Sequence, residues 1–232
     1  MATGISRRVP MVETGFGRRH EALPPVEAGF IDLRTWFPED LRHLPVEIEL
    51  GSGRGTFLAQ QAPLEPNKLF VGIEWAAPYF RYAADRARRL NLRNVQMLRD
   101  DGPLFVQKYL ADKSVAQFHW YFPDPWPKAK QNKRRTFQEN FLRPLHRLMM
   151  DPVPGASDTG CIRVVTDHLE YWAWMEDHAA RVADIYERLP YVPPASAGEG
   201  EWVGSNFERK YRIEGRVFNG MILRKRVGKL GG

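Results

Sequence analysis

One carboxylate in this sequence stands between two prolines at the end of an apolar run. Asp124 is the acid in the segment WYFPDPW, where Pro123 and Pro125 fix φ and restrict the residues that precede them. The backbone around the acid is therefore stiff, and Trp126 adds a flat face on which a nucleic-acid base could stack. These residue types favour a site that binds a base, whereas the simpler interpretation is a proline-rich loop with an exposed acid.

A dense group of positive charges follows this acid directly. The segment KAKQNKRR carries five cations in eight positions, namely Lys128, Lys130, Lys133, Arg134 and Arg135. A polyanion passing the acid would meet these cations, and each neutralised phosphate would add salt-sensitive affinity. The alternative is a solvated helix face, which is the common environment of a run of like charges.

A glycine-rich turn after the run VEIEL could hold a ligand. Gly51, Gly53 and Gly55 follow that run and precede a helical stretch, so the backbone can approach a ligand and present helix N-terminal N–H groups. Nicotinamide enzymes favour the spacing G-x-G-x-x-G, but here Thr56 occupies the position of the third glycine. Taken alone, the turn is as compatible with a tight connection that binds nothing as with a cofactor site.

Acidic residues accompany this turn at the ends of successive apolar runs. Glu49 stands shortly before Gly51, and Glu74 ends the next run, where it can accept hydrogen bonds from both hydroxyls of a ribose. Asp100 and Asp101 follow the third run, where they either meet an adenine amino group or cap the next helix. Because the ammonium of S-adenosylmethionine needs a carboxylate and this cofactor has no pyrophosphate, the acids and the glycine spacing favour it over a nicotinamide.

Five short apolar runs position these residues, and helix-length segments separate them. The runs are VEIEL, KLFVGIE, NVQML, VAQFHWYF and CIRVVTD. Their alternation with helical segments predicts βαβ units and a parallel sheet with right-handed crossovers. In such a sheet the crevice at the carboxyl ends of the strands holds the ligands, so we expect the glycine turn and Asp124 to meet there.

Both ends of the chain depart from this alternation. Residues 1–42 are rich in Pro, Gly and Arg, and they predict a basic, partly irregular arm with one short helix near residues 32–36. Residues 43–232 predict a single catalytic domain. Near its end, residues 207–213 and 217–225 predict two strands of an antiparallel hairpin at the edge of the sheet.

The composition limits the class of protein. Lys and Arg number 34 against 28 Asp and Glu, and the net charge of +6 favours a polyanionic partner. No apolar stretch is long enough to cross a bilayer, and no secretory or twin-arginine signal is recognisable. The single cysteine, Cys161, cannot form an internal disulfide. We therefore expect a cytoplasmic protein that makes no membrane contact.

In these motifs the sequence resembles the bacterial tRNA (guanine-N7-)-methyltransferase family, over about residues 46–225. The most specific part is FPDPWPKAKQNKRR, while VVTD before a helix and SNFERK near the C-terminus match in order and spacing. The resemblance implies the α/β fold of class I (Rossmann-like) methyltransferases: a seven-stranded, mostly parallel sheet with one reversed strand in a C-terminal hairpin, and helices on both faces. It also implies methyl transfer from S-adenosylmethionine to N7 of guanine at position 46, in the variable loop of tRNA.

The resemblance implies roles for individual residues as well. Asp124 corresponds to the catalytic acid beside cofactor and base, and Lys128 and Asp167 correspond to substrate contacts. Ser205 and Glu208 occupy a tRNA-binding Thr-x-x-Glu element, in which Ser205 retains the hydroxyl. No metal ion and no obligate protein partner are implied. Together with the glycine turn, the resemblance predicts cofactor contacts at Glu49, Gly51, Gly53, Gly55, Glu74, Asp101 and Asp124.

The chemistry of guanine N7 suggests why an acid is needed. N7 carries a free lone pair, so its methylation requires no general base. A fixed carboxylate can instead accept the N1–H and N2 donors of guanine, and Asp124, alone or with Glu208, is predicted to hold that edge and stabilise the cationic product. Two other functions stay open at this point: methylation of another RNA base or of a protein, and tRNA binding without catalysis.

Overall fold

The computed structural model describes residues 15–155 and 159–228, without the side chain of Ala129. Within these residues, one sheet contains eight strands in the order β1-β4-β3-β2-β5-β6-β8-β7. The strands are β1 (Gly17–Arg19), β2 (Val46–Leu50), β3 (Leu69–Ile73), β4 (Val95–Arg99), β5 (Gln117–Tyr121), β6 (Cys161–Thr166), β7 (Tyr186–Pro190) and β8 (Asn219–Lys225). The helices are α1 (Thr56–Leu64), α2 (Ala77–Arg89), α3 (Gly102–Tyr109), α4 (Glu139–Leu148), α5 (Leu169–Arg181) and α6 (Asn206–Ile213). Across both described ranges, no helix combines the length and the apolar composition that a membrane crossing requires.

The sheet is parallel except at one end. Strands β1 to β6 pair in parallel, whereas β8 runs antiparallel to both β6 and β7. Every residue of β2, β3 and β5 is buried. Strand β3 is accordingly an unbroken apolar run, whereas β2 and β5 alternate apolar residues with the buried polar residues Glu47, Glu49, Gln117 and His119. Because parallel strands end at one edge, the segments that follow β2 to β5 meet there.

Apolar cores cover both faces of the sheet. One core joins alternate residues of β2, β3, β5 and β6, such as Ile48 and Phe118, to helices α3, α4 and α5. The other joins the opposite side of β3 and β4, such as Phe70, to helices α1 and α2. Helices therefore lie on both faces, and the predicted α/β class is confirmed.

The predicted C-terminal hairpin is wrong in its first strand. That segment is helix α6, whose N-terminus is capped by Ser205 Oγ accepting the N–H of Glu208 at 3.1 Å. Strand β8 pairs instead with β6 and β7, and it is the single reversed strand that was predicted. The sheet has eight strands rather than seven because the arm adds β1 beside β4.

Part of the N-terminal arm packs against the sheet and its helices. A short 3-10 helix, Leu33–Trp36, forms where one was predicted, and the Asp32 side chain caps it. Leu33 and Phe37 are buried in the core that contains α3. Residues 1–14 of the arm lie outside the described residues.

Candidate active site

A cleft with a volume of about 1010 Å³ opens at the carboxyl ends of β2 to β5. Its walls are the turn after β2, the acids after β3 and β4, the proline segment after β5 and the beginning of α6. The residues predicted from the sequence that line it are Glu49, Gly51, Gly53, Glu74, Asp101, Asp124 and Ser205. The predicted residues outside its lining are Gly55, Lys128, Asp167 and Glu208.

The glycine turn uses backbone conformations that residues with a side chain avoid. Gly51 and Gly53 have φ of 73° and 53°, and a Cβ on either would meet no atom of residues 15–155 and 159–228 within 4 Å. Gly55 differs, because a Cβ there would lie 2.9 Å from the Cβ of Ala83. Gly55 therefore allows α1 to approach α2, whereas Gly51 and Gly53 leave space for a ligand at the cleft.

Glu49 places a buried carboxylate in the wall of the cleft. The residue is 5% exposed, and its Oε2 has no hydrogen-bond partner among the described residues. Burial, together with the negative charge of Glu74, raises the pKa of the Glu49 carboxyl well above its usual range. A cationic ligand group beside Oε2 would favour the ionised form, so this orphaned oxygen fits an ammonium group.

Glu74, directly after β3, is oriented by two backbone N–H groups. Its Oε2 accepts the N–H of Gly53 at 2.8 Å, and its Oε1 accepts the N–H of Ala76 at 2.7 Å. These bonds tie the carboxylate to the glycine turn and leave lone pairs free on both oxygens. Two fixed acceptors on a half-buried acid suit the neighbouring hydroxyls of a ribose.

The two acids after β4 have different partners. Asp101 lines the cleft and also caps α3 by accepting the N–H of Leu104 at 3.0 Å, so the helix-cap interpretation holds for it. Asp100 Oδ2 lies 3.0 Å from Nδ1 of His20, and this hydrogen bond raises the pKa of the imidazole. His20 belongs to the arm and was missed by sequence analysis, since 80 residues separate it from Asp100.

The backbone around Asp124 is strained and is held from outside. Phe122 and Trp126 have φ of 52° and 45°, a conformation that costs on the order of 1 kcal/mol or more for a residue with a side chain. Arg135 Nε donates to the carbonyl oxygen of Pro125 at 2.8 Å and so fixes the middle of the segment. Asp124 is thereby presented, exposed, on the wall of the cleft.

Arg135 is a structural residue, and its inclusion in the predicted phosphate-binding group is wrong. It is 1% exposed, and its Nη2 donates to Glu170 Oε1 at 2.8 Å. Its guanidinium carbon lies 5.1 and 5.3 Å from the ring centres of Tyr171 and Trp174. A polyanion outside the protein cannot reach a cation enclosed in this way.

The other cations of the segment stay at the surface, on or beside a short 3-10 helix, Ala129–Arg134. Lys128, Lys130 and Lys133 are exposed. The guanidinium carbon of Arg134 lies 5.0 Å from the ring centre of Trp126, and both residues line the cleft. A cation thus stands at the rim of the cleft, close in sequence to Asp124.

The predicted substrate residues around α6 make internal contacts. Glu208 is fully buried, and its carboxylate accepts the backbone N–H groups of residues 202–204 at 2.5, 2.8 and 2.9 Å. Asp167 pairs with Arg216. Ser205 lines the cleft and caps α6. The substrate contacts expected of these residues stay predictions, and each of the three carboxyl or hydroxyl groups already has a protein partner.

Comparisons with known proteins agree with this geometry. Residues 43–197 match the model of a protein family described as "Putative methyltransferase". The tRNA (guanine-N(7)-)-methyltransferase of Corynebacterium jeikeium is 35% identical over 162 residues, which are 70% of this chain and 58% of that protein. That of Corynebacterium glutamicum is 37% identical over 152 residues, 66% of this chain and 56% of that protein. The chain thus spans a little over half the length of these two relatives.

Solved structures support the fold. A 30S ribosomal methyltransferase from an uncultured bacterium superposes with a TM-score of 0.55 at 13% identity, covering 85% of this chain and 96% of the other. An aminoglycoside resistance methyltransferase gives a TM-score of 0.53 at 16% identity, covering 85% and 95%. Identities this low show a shared fold alone.

A full-length relative decides the family. The tRNA (guanine-N(7)-)-methyltransferase of Myxococcus xanthus is 30% identical over 216 residues, and the match covers 89% of this chain and 98% of that protein. The similarity therefore extends from the glycine turn and the proline segment to almost every other part of a complete relative. On this ground the chain belongs to the tRNA (guanine-N(7)-)-methyltransferase family.

Proposed function

We propose that this protein transfers the methyl group of S-adenosylmethionine to N7 of the guanine at position 46 of tRNA. The observation that carries the proposal is the pairing of two carboxylates in one cleft. Glu49 is buried there, and no described residue provides a hydrogen-bond partner for its Oε2, while Asp124 is exposed there on a rigid segment. The first suits a cationic cofactor group and the second suits the donor edge of a purine.

The cofactor site would use the acids at the ends of three neighbouring strands. Glu49 would pair with the ammonium group, Glu74 would accept the ribose hydroxyls, and Asp101 would meet the adenine end. Gly51 and Gly53 leave the space that the bound molecule requires. When bound, S-adenosylmethionine supplies an electrophilic methyl group on a sulfonium centre.

Asp124 would orient guanine rather than remove a proton from it. Its carboxylate can accept hydrogen bonds from N1–H and the N2 amino group, which together fix the rotation of the base and hence the direction of N7. Hydrogen bonds to a charged group contribute roughly 1.5–3 kcal/mol each. The same negative charge stabilises the positive charge that develops on the purine. Because the rigid backbone already holds the carboxylate in place, the protein does not have to rearrange during the reaction.

Glu208 would act through the backbone instead of touching guanine. Its carboxylate already accepts three backbone N–H groups, from residues 202–204, and it is fully buried. We therefore assign the guanine edge to Asp124 alone. Ser205, in the lining of the cleft, would still belong to the proposed tRNA-binding element. Asp167 would contact tRNA after its ion pair with Arg216 breaks.

The exposed cations after Asp124 would bind phosphates. Lys128, Lys130 and Lys133 lie on one short segment beside the cleft, and Arg134 stacks on Trp126 at the rim. Contacts of this kind position a nucleic acid without reading its sequence. In this proposal residues 43–232 carry the catalytic site, residues 1–42 form an accessory arm, and the enzyme works on tRNA in the cytoplasm.

Methyl transfer to defined transcripts tests the proposed function. The protein is incubated with labelled S-adenosylmethionine and an unmodified tRNA transcript, and the product is digested to nucleosides. We expect label in 7-methylguanosine, and we expect none when adenine replaces guanine at position 46. Label in another nucleoside, or label that survives the replacement, would contradict the proposed substrate. Cofactor binding by calorimetry without any transfer would indicate a tRNA-binding protein that lacks catalysis.

A further inference from the structure

A row of buried polar side chains crosses the sheet on the face covered by α1. Glu47 on β2, Gln117 and His119 on β5, and Arg163 on β6 lie there, and each is at most 8% exposed. Neighbouring positions of the same strands fill the other face with apolar side chains. Burying ionisable groups is costly compared with burying apolar ones of similar size, and the proposed reaction has no use for these residues.

The row is connected by hydrogen bonds from one strand to the next. Glu47 Oε2 lies 2.8 Å from His119 Nε2, and His119 Nδ1 lies 2.9 Å from the hydroxyl of Tyr121. Arg163 Nε donates to Gln117 Oε1 at 3.0 Å, which directs the Gln117 amide N–H group toward Glu47 and His119, 3.3 and 3.2 Å away. The imidazole is therefore held on both nitrogens.

The row continues out of the sheet to the loop of residues 202–205. The hydroxyl of Tyr191 donates to the carbonyl oxygen of Trp202 at 2.9 Å. Burial and the neighbouring Tyr191 side chain raise the pKa of the Tyr121 hydroxyl well above its usual range, so the two tyrosines lie close together. The rings of Tyr191 and Trp202 also stack, with centroids 5.3 Å apart. On its other side, the N–H of Trp202 donates to Glu208 at 2.5 Å. The peptide groups of this loop are thus anchored from two directions.

The loop that is anchored in this way forms part of the cleft. Val203 and Ser205 line it, and Tyr121 lines it as well. Gly220 of β8 makes the close packing possible, because a Cβ there would lie 3.0 Å from Tyr191 and 3.1 Å from Trp202. A small displacement of the loop would therefore move one wall of the cleft.

We propose that Tyr191, supported by Tyr121 and His119, is a positioning residue that sets the place of the 202–205 loop against the bound guanine. The proposal rests on the proposed function for its substrate. Tyr191 touches neither cofactor nor base, and it acts through Trp202. Glu49 lies on β2 and Glu74 directly follows β3, so neither takes part in the contact between Tyr191 and Trp202. Loss of the Tyr191 hydroxyl therefore affects tRNA turnover and spares cofactor binding.

Tyr191→Phe removes the hydroxyl and keeps the ring, and Tyr186→Phe is a matched control. Tyr186 is buried, whereas Tyr191 is partly buried, and the Tyr186 hydroxyl donates to the carbonyl oxygen of Leu142 at 2.8 Å on the opposite face of the sheet. We expect Tyr191→Phe to lower kcat/KM for tRNA about fivefold or more, with an unchanged Kd for S-adenosylmethionine. Tyr186→Phe should lower Tm to a similar extent and leave kcat/KM within about twofold.

Amide hydrogen exchange tests the same proposal without any activity. The N–H groups of residues 202–204 are bonded to Glu208, so their protection reports how firmly the loop is anchored. We expect faster exchange there in Tyr191→Phe and wild-type exchange in Tyr186→Phe. Equal exchange and equal kcat/KM in the two variants would overturn the proposal. If wild-type protein fails to methylate tRNA, the proposed function fails, and the exchange comparison still decides whether Tyr191 anchors the loop.

A second variant keeps the proposal testable if Tyr191→Phe does not fold. Tyr121→Phe removes the hydroxyl that contacts His119 and neighbours Tyr191, but it keeps the Tyr191 bond to Trp202. We expect a change in the same direction as Tyr191→Phe, in exchange and in kcat/KM, but smaller. A wild-type exchange pattern in Tyr121→Phe would remove Tyr121 and His119 from the proposal.

Discussion

Asp124 owes its position to neighbours rather than to contacts of its own. Phe122 and Trp126 adopt left-handed backbone conformations on either side of it, and Arg135 bonds to the carbonyl oxygen of Pro125 between them. Strain of this kind persists only where the surrounding structure compensates for it. An acceptor fixed before the substrate arrives requires no reorganisation during the reaction, and this is the physical advantage of placing an acid between prolines.

Asp124→Asn keeps the shape of the side chain but replaces one acceptor oxygen by a donor amide. The donor would face the N1–H and N2 groups of guanine, and the negative charge would be lost. We expect kcat/KM for tRNA to fall by about 100-fold or more, as when one preorganised group is removed from other active sites. Cofactor affinity, measured by calorimetry, should change no more than a few-fold.

Asp177→Asn is the control for that variant. Asp177 is an exposed acid on α5 that pairs with Arg181 one turn along the helix. We expect wild-type kinetics from it. Turnover by Asp124→Asn that matched this control would exclude the carboxylate from the mechanism and leave the proline segment as a structural loop.

At the scale of elements, the segment that follows β5 combines an anchor with a charged surface. Arg135 is enclosed by the rings of Tyr171 and Trp174, whereas Lys130 and Lys133 are exposed on the 3-10 helix before it. The same short run of cations therefore contains residues with opposite roles. Substitutions within it should separate into two groups, one that affects tRNA affinity and one that affects stability.

The double variant Lys130→Glu and Lys133→Glu should weaken tRNA binding without unfolding the protein. We expect a higher KM for tRNA, and a plot of log K against log salt that is shallower by roughly 1–2 units, because fewer counterions are released. Tm and the Kd for S-adenosylmethionine should stay near wild type. A salt dependence equal to that of the wild type would assign these lysines to an ordinary solvated surface.

Arg135→Met should behave in the opposite way. Removal of the guanidinium leaves the Pro125 carbonyl and Glu170 without their donor, so we expect Tm to fall and the strained segment to relax. The salt dependence of tRNA binding should be unchanged, because the side chain never reaches a phosphate. Filter binding over a range of salt concentrations, together with thermal unfolding, separates the two groups.

At the scale of the whole molecule, the central sheet and the cleft could be predicted because both depend on patterns local in sequence. The strands buried on both faces are short runs rich in apolar residues, and the turns after them carry acids. Helix α6 was predicted as a strand because Phe207 and Tyr211 fit either pattern, and the cap at Ser205 was the one local signal for a helix.

Other features depended on contacts between distant segments. The burial of Arg135 requires Glu170, 35 residues away, and nothing in a run of five cations marks which one is enclosed. The polar row through His119 was concealed inside an apolar run, since its partner Glu47 lies 72 residues earlier. Strand β1 is three residues long and acquires its partner from β4, so no pattern of its own could predict it.

The stability of the whole fold should depend on pH through an acid that joins three distant segments. Asp151, after α4, pairs with Lys113 Nζ at 2.6 Å and with Lys225 Nζ of β8 at 2.9 Å. Hydrogen bonds from these lysines lower the pKa of the Asp151 carboxyl from 3.8 to about 2. Lys225 is itself 7% exposed and also donates to the carbonyl oxygen of Met149.

A carboxyl group whose pKa is lower in the folded state than in the unfolded state stabilises the protein. It does so fully at pH values at which it is ionised in both states. The contribution of Asp151 is therefore fully present above pH 3.8, the unfolded value, and is lost as the pH falls toward about 2. We expect wild type to exceed Asp151→Asn in free energy of unfolding at neutral pH, with a difference that shrinks across this window.

Urea unfolding at a series of pH values measures this difference, and Asp177→Asn serves again as the control because its partner lies on the same helix. A difference that stayed constant from neutral pH down to about 2 would mean that Asp151 stabilises the fold through its shape and not through its charge.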